Sequence, residues 1–217
     1  MEGSERRRRM LTIATRFWRA ARRSGQRLAL VGAAVASLGI GTALAGARLD
    51  QQNPLADNLG FGHGIEMTAT DGQTFTAGAT GSLDRIAVYL EQFDSAPPPG
   101  TIFVDVYPTD ANGLPRTDGD PIGSGSVATS GVGQLPGFVA IQLSRPAPVK
   151  KGKGYAILLR SDVDLGLSLL WDGSTESNPY PNGGNAQRAN ANSPWTVFPR
   201  QDHFFKTFVT EPRHRHK

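Results

Sequence analysis

The stretch that decides the fold is LDRIAVYLEQF, residues 83–93. Ile86, Val88 and Leu90 fall on one side of an extended chain, and Arg85, Ala87, Tyr89 and Glu91 on the other, because successive strand side chains point to opposite faces. Ile102, Val104 and Val106 repeat the pattern against Asp105 and Tyr107. Working outward, the same alternation predicts strands at 73–77, 122–129, 138–143, 155–161, 165–171 and 203–209, with a short one near 195–198. Turn signals such as Pro97-Pro98-Pro99-Gly100 and Asn112-Gly113 separate them. No segment after residue 47 shows sustained helical spacing with caps. The expectation is an all-β protein, a jelly-roll-like antiparallel sandwich of about seven to nine strands over residues 71–210, preceded by a polar lead (48–70) and followed by a basic tail (211–217).

Residues 1–47 have a different composition. Nine arginines precede Leu28, and Leu28 to Ala47 is an uncharged run of 20 residues. Ala43-Leu44-Ala45 has the small-x-small form of a signal cleavage site. The segment reads as a signal peptide or signal-anchor helix that engages the membrane during export, with the basic end held inside. Twenty apolar residues can span a bilayer as a helix, so cleavage after Ala45 and retention as an anchor are both open. The small residues and the scarcity of Leu, Ile and Phe favour cleavage, and the protein is expected outside the cell or on its surface.

Charge must be counted by segment. The whole chain has a net charge of +4, yet residues 46–217 hold 14 basic against 17 acidic side chains. A nucleic-acid partner needs clustered cations on the folded part, so none is expected. With zero cysteines there are no disulfides or thiolate metal sites.

The order of the blocks is similar to that of extracellular choice-of-anchor domains. The residues concerned are Gln73-Thr-Phe-Thr-Ala, Leu83-x-x-Ile86-x-Val88-x-Leu90 and Val104-x-Val106-Tyr107 with Asn112-Gly113-Leu114-Pro115. Val149-x-x-Gly152-x-Gly154-Tyr155-x-Ile157-x-Leu159, Trp171, Asn182-Gly183-Gly184, Trp195 and Asp202-x-Phe204-Phe205-Lys206-Thr207-Phe208-Val209 complete them. The resemblance covers about residues 73–209. It implies a noncatalytic β-sandwich on a bacterial surface, related in architecture to carbohydrate-binding modules, with no catalytic residue to carry over. The chain departs from that pattern by ending in Arg213-His-Arg-His-Lys rather than in an apolar anchor.

Candidate chemistry is sparse. The imidazoles are His63, His203, His214 and His216, and neither a G-x-S-x-G elbow nor an H-E-x-x-H helix occurs. Strands distant in sequence can still pair carboxylates such as Glu91, Asp105 and Asp172, which keeps an unrecognised hydrolase as a lesser alternative. Asp110, Asn112, Asp118 and Asp120 gather oxygen donors that suit a structural calcium, although the loop lacks the EF-hand pattern. Its plain alternative is a solvated turn. No other cofactor is expected.

For ligand binding the candidates are Trp171, Tyr180, Asn182, Asn185 and Trp195, since aromatic rings stack on sugars while amides bond hydroxyls. Trp171 continues the alternation of Leu165, Leu167 and Leu169 and so also reads as core. Tyr180, between two prolines, reads as a surface contact. The expected function is a noncatalytic binding module for glycan or a cell-wall polymer. The alternative is a structural or adhesive surface protein that contacts other proteins.

Overall fold

The computed structural model describes residues 46–55, 60–93, 96–175 and 180–212, and all structural statements concern these. The chain divides into two units, Met1–Thr42 and Ala43–Lys217, and the described residues lie in the second. The predicted N-terminal helix, Ala43, Ala45 and residues 213–217 fall outside them.

The described residues form an all-β, antiparallel structure with a single 3-10 turn at Thr129–Gly131. In chain order the strands are β1 (Arg48–Asn53), β2 (Phe61–Ile65), β3 (Asp71–Thr76), β4 (Gly81–Gln92), β5 (Thr101–Pro108) and β6 (Gly123–Ala128). They continue with β7 (Gly137–Val149), β8 (Gly154–Ser161), β9 (Gly166–Ser174), β10 (Gly184–Gln187), β11 (Thr196–Phe198), β12 (Asp202–His203) and β13 (Phe205–Thr210). All 13 belong to one connected open sheet, ordered β1-β13-β4-β7-β6-β5-β8-β3-β10-β11, with β9 pairing β4, β2 and β12.

The strand count exceeds the expected seven to nine because polar stretches also pair. β1, RLDQQN, lies along β13 at the margin of the sheet, where a polar strand needs no apolar alternation. β2, FGHGI, carries two glycines that read as turn signals, yet it pairs along β9, with a register shift between Gly64 and Ile65. Residues 48–70, expected as a lead, therefore contribute two strands.

β4 shows how sequence sets the packing. Leu83, Ile86, Val88 and Leu90 are all fully buried, although Leu83 and Ile86 are three apart and strict alternation would oppose them. The β4–β7 register shifts between Leu83 and Arg85, and that bulge returns Leu83 to the inner face. The other face is less open than alternation suggests. Ala87 and Tyr89 are buried too, Tyr89 packing edge-on against Phe138 and Phe204.

β7 joins the two arms of the sheet. Its ends pair β4, whereas Leu143 and Arg145 pair β6. Pro146 sits at this irregularity, where a residue without an N–H is tolerated. Side chains from both arms share one core, including Ile86, Val88, Ile141 and Phe205 with Phe75, Val104 and Ile157. The Phe75 and Phe205 rings stand 6.2 Å apart. A smaller cluster of Ala69, Ala156, Leu158, Ala186 and Trp195 packs separately.

Candidate functional site

Strand register brings two polar rows together. On one arm His63 lies opposite Trp171, and His203 opposite Gly173, so both histidines project from the same face of β9's neighbourhood. On the other arm Gln187 lies opposite Asp71, and Asn185 opposite Gln73. Where the rows meet, His63 Nδ1 is 2.9 Å and His203 Nε2 2.7 Å from the same oxygen, Asp71 Oδ2. Asn185 Nδ2 donates to Asp71 Oδ1 at 2.8 Å and also lies 2.7 Å from His203 Nε2. Gln187 Nε2 donates to Asn185 Oδ1 at 2.6 Å.

The centre is buried on one side and open on the other. The His203 side chain is fully buried, Asp71 is 13% exposed and His63 is 33% exposed. The indole of Trp171 stacks on His203 with ring centres 4.0 Å apart and planes at 15°, and Phe61 lies against both imidazoles at 4.8 and 4.9 Å. Gly173 makes this packing possible. A Cβ there would lie 2.5 Å from the Phe61 ring and 2.6 Å from the Asp202 carbonyl oxygen.

The backbone and the Asp202 carboxylate of β12 are clamped from three sides. Gln73 donates to Asp202 Oδ1 at 2.8 Å and accepts from the His203 N–H at 2.7 Å. Asn53 donates to the His203 carbonyl at 2.9 Å, and the Tyr180 N–H donates to Asp202 Oδ2 at 3.3 Å.

Burial alone would raise the Asp71 carboxyl, but the charge and hydrogen bonds of His203 and His63 outweigh it and hold it well below the usual range. Asp202 is pushed up to about 6 by burial, against the lowering bonds from Gln73 and Tyr180. Asp172 is pushed up to about 8, first by burial and then by the neighbouring Glu91 carboxylate.

Of the residues singled out in the sequence, Trp171 and Asn185 belong to this centre. Tyr180 does not present an open ring: it is 4% exposed, packs edge-on against Phe205, and donates its hydroxyl to Gln51 Oε1 at 2.8 Å. The expected surface contact is corrected to a core position, because the side chain itself turns inward onto Phe205 of β13 and Gln51 of β1. Trp195 is also buried, its N–H on Thr117 Oγ1 at 3.1 Å and the Arg188 guanidinium 4.5 Å above its ring. Asn182 is exposed, and its carbonyl accepts from the Thr76 hydroxyl.

In the acidic loop, Asp110 Oδ1 accepts from the backbone N–H groups of Asn112 and Leu114, and Asp118 lies 3.9 Å from Arg116. Asn112, Asp118 and Asp120 are exposed. These are the bonds of a turn, completed by Gly113 at φ +79° with open space around it. Among the described residues, the His/Asp/Glu group whose ligand atoms converge is His63, Asp71 and His203. Of the carboxylates considered, Asp105 pairs with Arg160 at 3.0 Å, while Glu91 and Asp172 neighbour each other.

His63, Asp71, Gln187 and His203 as a set escaped the sequence reading, because 140 positions separate the two histidines and only register unites them. The available signal was that a histidine-poor chain places two histidines in extended segments. Scanned against protein-family models the chain matches none, and it matches no curated protein. The resemblance to choice-of-anchor domains thus stands on residue pattern alone.

Proposed function

We propose that the protein is an exported, noncatalytic binding module, a jelly-roll-like sandwich in which the two arms of the sheet fold over each other about β7. Glycan or another cell-wall polymer is the ligand class. The observation that carries this reading is the open side of the polar centre. His63 and Gln187 are half-buried there beside the half-buried ring of Phe61. A ring face next to amide, imidazole and carboxylate groups supplies stacking for the apolar side of a sugar and hydrogen bonds for its hydroxyls. These residues replace Tyr180 and Trp195, whose rings are covered. The basic, then apolar, N-terminal sequence supports export.

Pull-down of purified protein on a panel of cell-wall and plant polysaccharides tests it. Retention that falls at least about tenfold in Phe61→Ala and Gln187→Ala supports the reading. No retention on any polymer, or retention indifferent to both substitutions, contradicts it.

A second reading, an adhesive protein that contacts other proteins, is favoured by exposed apolar side chains at Phe93 (41%), Leu135 (84%) and Leu167 (61%). Phe93 and Leu167 lie at one end of the sheet, the Phe93 N–H bonding the Ser168 carbonyl. A strict monomer by size-exclusion chromatography, with no partner crosslinked on intact cells, argues against it.

A further inference from the structure

From the donor set at the end of β2, β3 and β12 we infer that His63, Asp71 and His203 form a binding site for a divalent first-row transition-metal ion. The inference does not depend on any polymer ligand, because it rests on side chains that converge within the fold. One ligand atom from each residue lies within 4.8 Å of the others. Metal bonds to imidazole nitrogen and carboxylate oxygen are about 2.0–2.2 Å long. With such bonds, the observed separations of 2.7 and 2.9 Å from Asp71 Oδ2 subtend about 80–90° at the ion, as in octahedral or square-planar coordination. Two nitrogens on one ion stand no more than about 4.4 Å apart, so the partly exposed His63 ring closes toward His203 on loading.

Hydrogen bonding alone leaves the centre in conflict. His203 Nε2 is 2.7 Å from a carboxylate oxygen and 2.7 Å from an amide nitrogen. As an N–H it suits Asp71 and opposes the Asn185 amide hydrogens; as a lone pair it suits Asn185 and opposes the carboxylate. Turning the Asn185 amide around sets its oxygen against Asp71 Oδ1 and forfeits the bond from Gln187. A cation shared by His203 Nε2 and Asp71 Oδ2 removes the conflict, leaving the Asn185 amide to Asp71 Oδ1.

The surroundings hold the ligands as a metal requires. The Asp172 carbonyl, 3.4 Å from His203 Nδ1, can accept an N–H from that nitrogen when Nε2 gives its lone pair to the ion. Stacked Trp171 fixes the plane of the ring, and the Gln73 and Asn53 bonds fix its backbone. Two imidazoles with one carboxylate suit zinc, cobalt, nickel, copper or iron rather than calcium or magnesium, which take oxygen donors. Three protein ligands leave positions open to solvent on the His63 side.

Isothermal titration of purified protein with zinc(II), and visible spectroscopy with cobalt(II), test the inference in the absence of polymer. His214→Ala/His216→Ala serves as the background, to remove the tail imidazoles. One equivalent bound at micromolar or tighter, with affinity lowered roughly 10- to 100-fold by His63→Gln and by Asp71→Asn, supports it. His63→Gln is the secure variant, because that side chain is partly exposed and its loss leaves the core intact. No binding below millimolar by either metal overturns the site, as does binding that His63→Gln leaves unchanged. Polymer retention plays no part in this readout, so failure of either proposal is seen separately.

Discussion

The Trp171 indole lies flat on the His203 imidazole, 4.0 Å between ring centres, while its own N–H donates to the Phe204 carbonyl at 3.1 Å. One side chain thereby joins β9 to the β12–β13 corner and fixes the buried member of the polar centre. Trp171→Ala should destabilise the protein by about 3–5 kcal/mol in urea denaturation. Trp171→Phe should lose less, since it keeps a ring over His203 and forfeits chiefly the bond to Phe204, about 1–3 kcal/mol.

Stability should peak in mildly acidic solution and fall as pH rises from about 4 to about 8. Asp202 and Asp172 have carboxyls raised to about 6 and about 8 in the folded protein, against an unfolded value near 4. Folding then retains protons that the unfolded chain releases, so the stability they allow is full below pH 4 and is lost as pH climbs through the folded values. Asp71 has the opposite sign, because its lowered carboxyl contributes above the unfolded value and stability drops on further acidification. Thermal melts from pH 3 to 9 check this. Asp172→Asn should flatten the alkaline limb, and an unaltered limb would show the attribution to be mistaken.

Two glycines should respond differently to alanine. Gly173→Ala places a methyl against Phe61 and the Asp202 carbonyl, and small-to-large changes in such tight places cost about 1–3 kcal/mol. Gly113→Ala meets nothing, and its penalty of about 1 kcal/mol comes only from the left-handed φ. Only the first should speed hydrogen exchange at the His203 N–H.

For the acidic loop, millimolar calcium should leave the melting temperature unchanged, whereas Asp110→Ala should lower stability by about 1 kcal/mol by releasing the Asn112 and Leu114 N–H groups. A calcium-dependent rise in melting temperature that Asp110→Ala abolishes would restore the metal reading of that loop.

Alternation at Ile86-Val88-Leu90 and Val104-Val106 made the all-β class legible, since burying one face of a strand demands period two. β2 and β10 were hidden because their glycines and amides pair through backbone and polar contacts that leave no apolar pattern. Tyr180 departs from its sequence expectation for the opposite reason: flanking prolines mark a loop, but not whether the ring turns inward. Trp171 and Asn185 were legible as residue types suited to binding. Their meeting with His63, Asp71 and His203 depends on β2–β9 and β3–β10 register, and no local pattern encodes pairing across more than a hundred residues.

The most direct test of the centre formed by these residues is an anomalous difference map at the zinc edge from crystals of zinc-loaded protein. A single strong peak about 2.0–2.2 Å from His63 Nδ1, His203 Nε2 and Asp71 Oδ2 is the predicted result. A map with no peak among these three atoms, or with zinc only at His214 and His216, would contradict it.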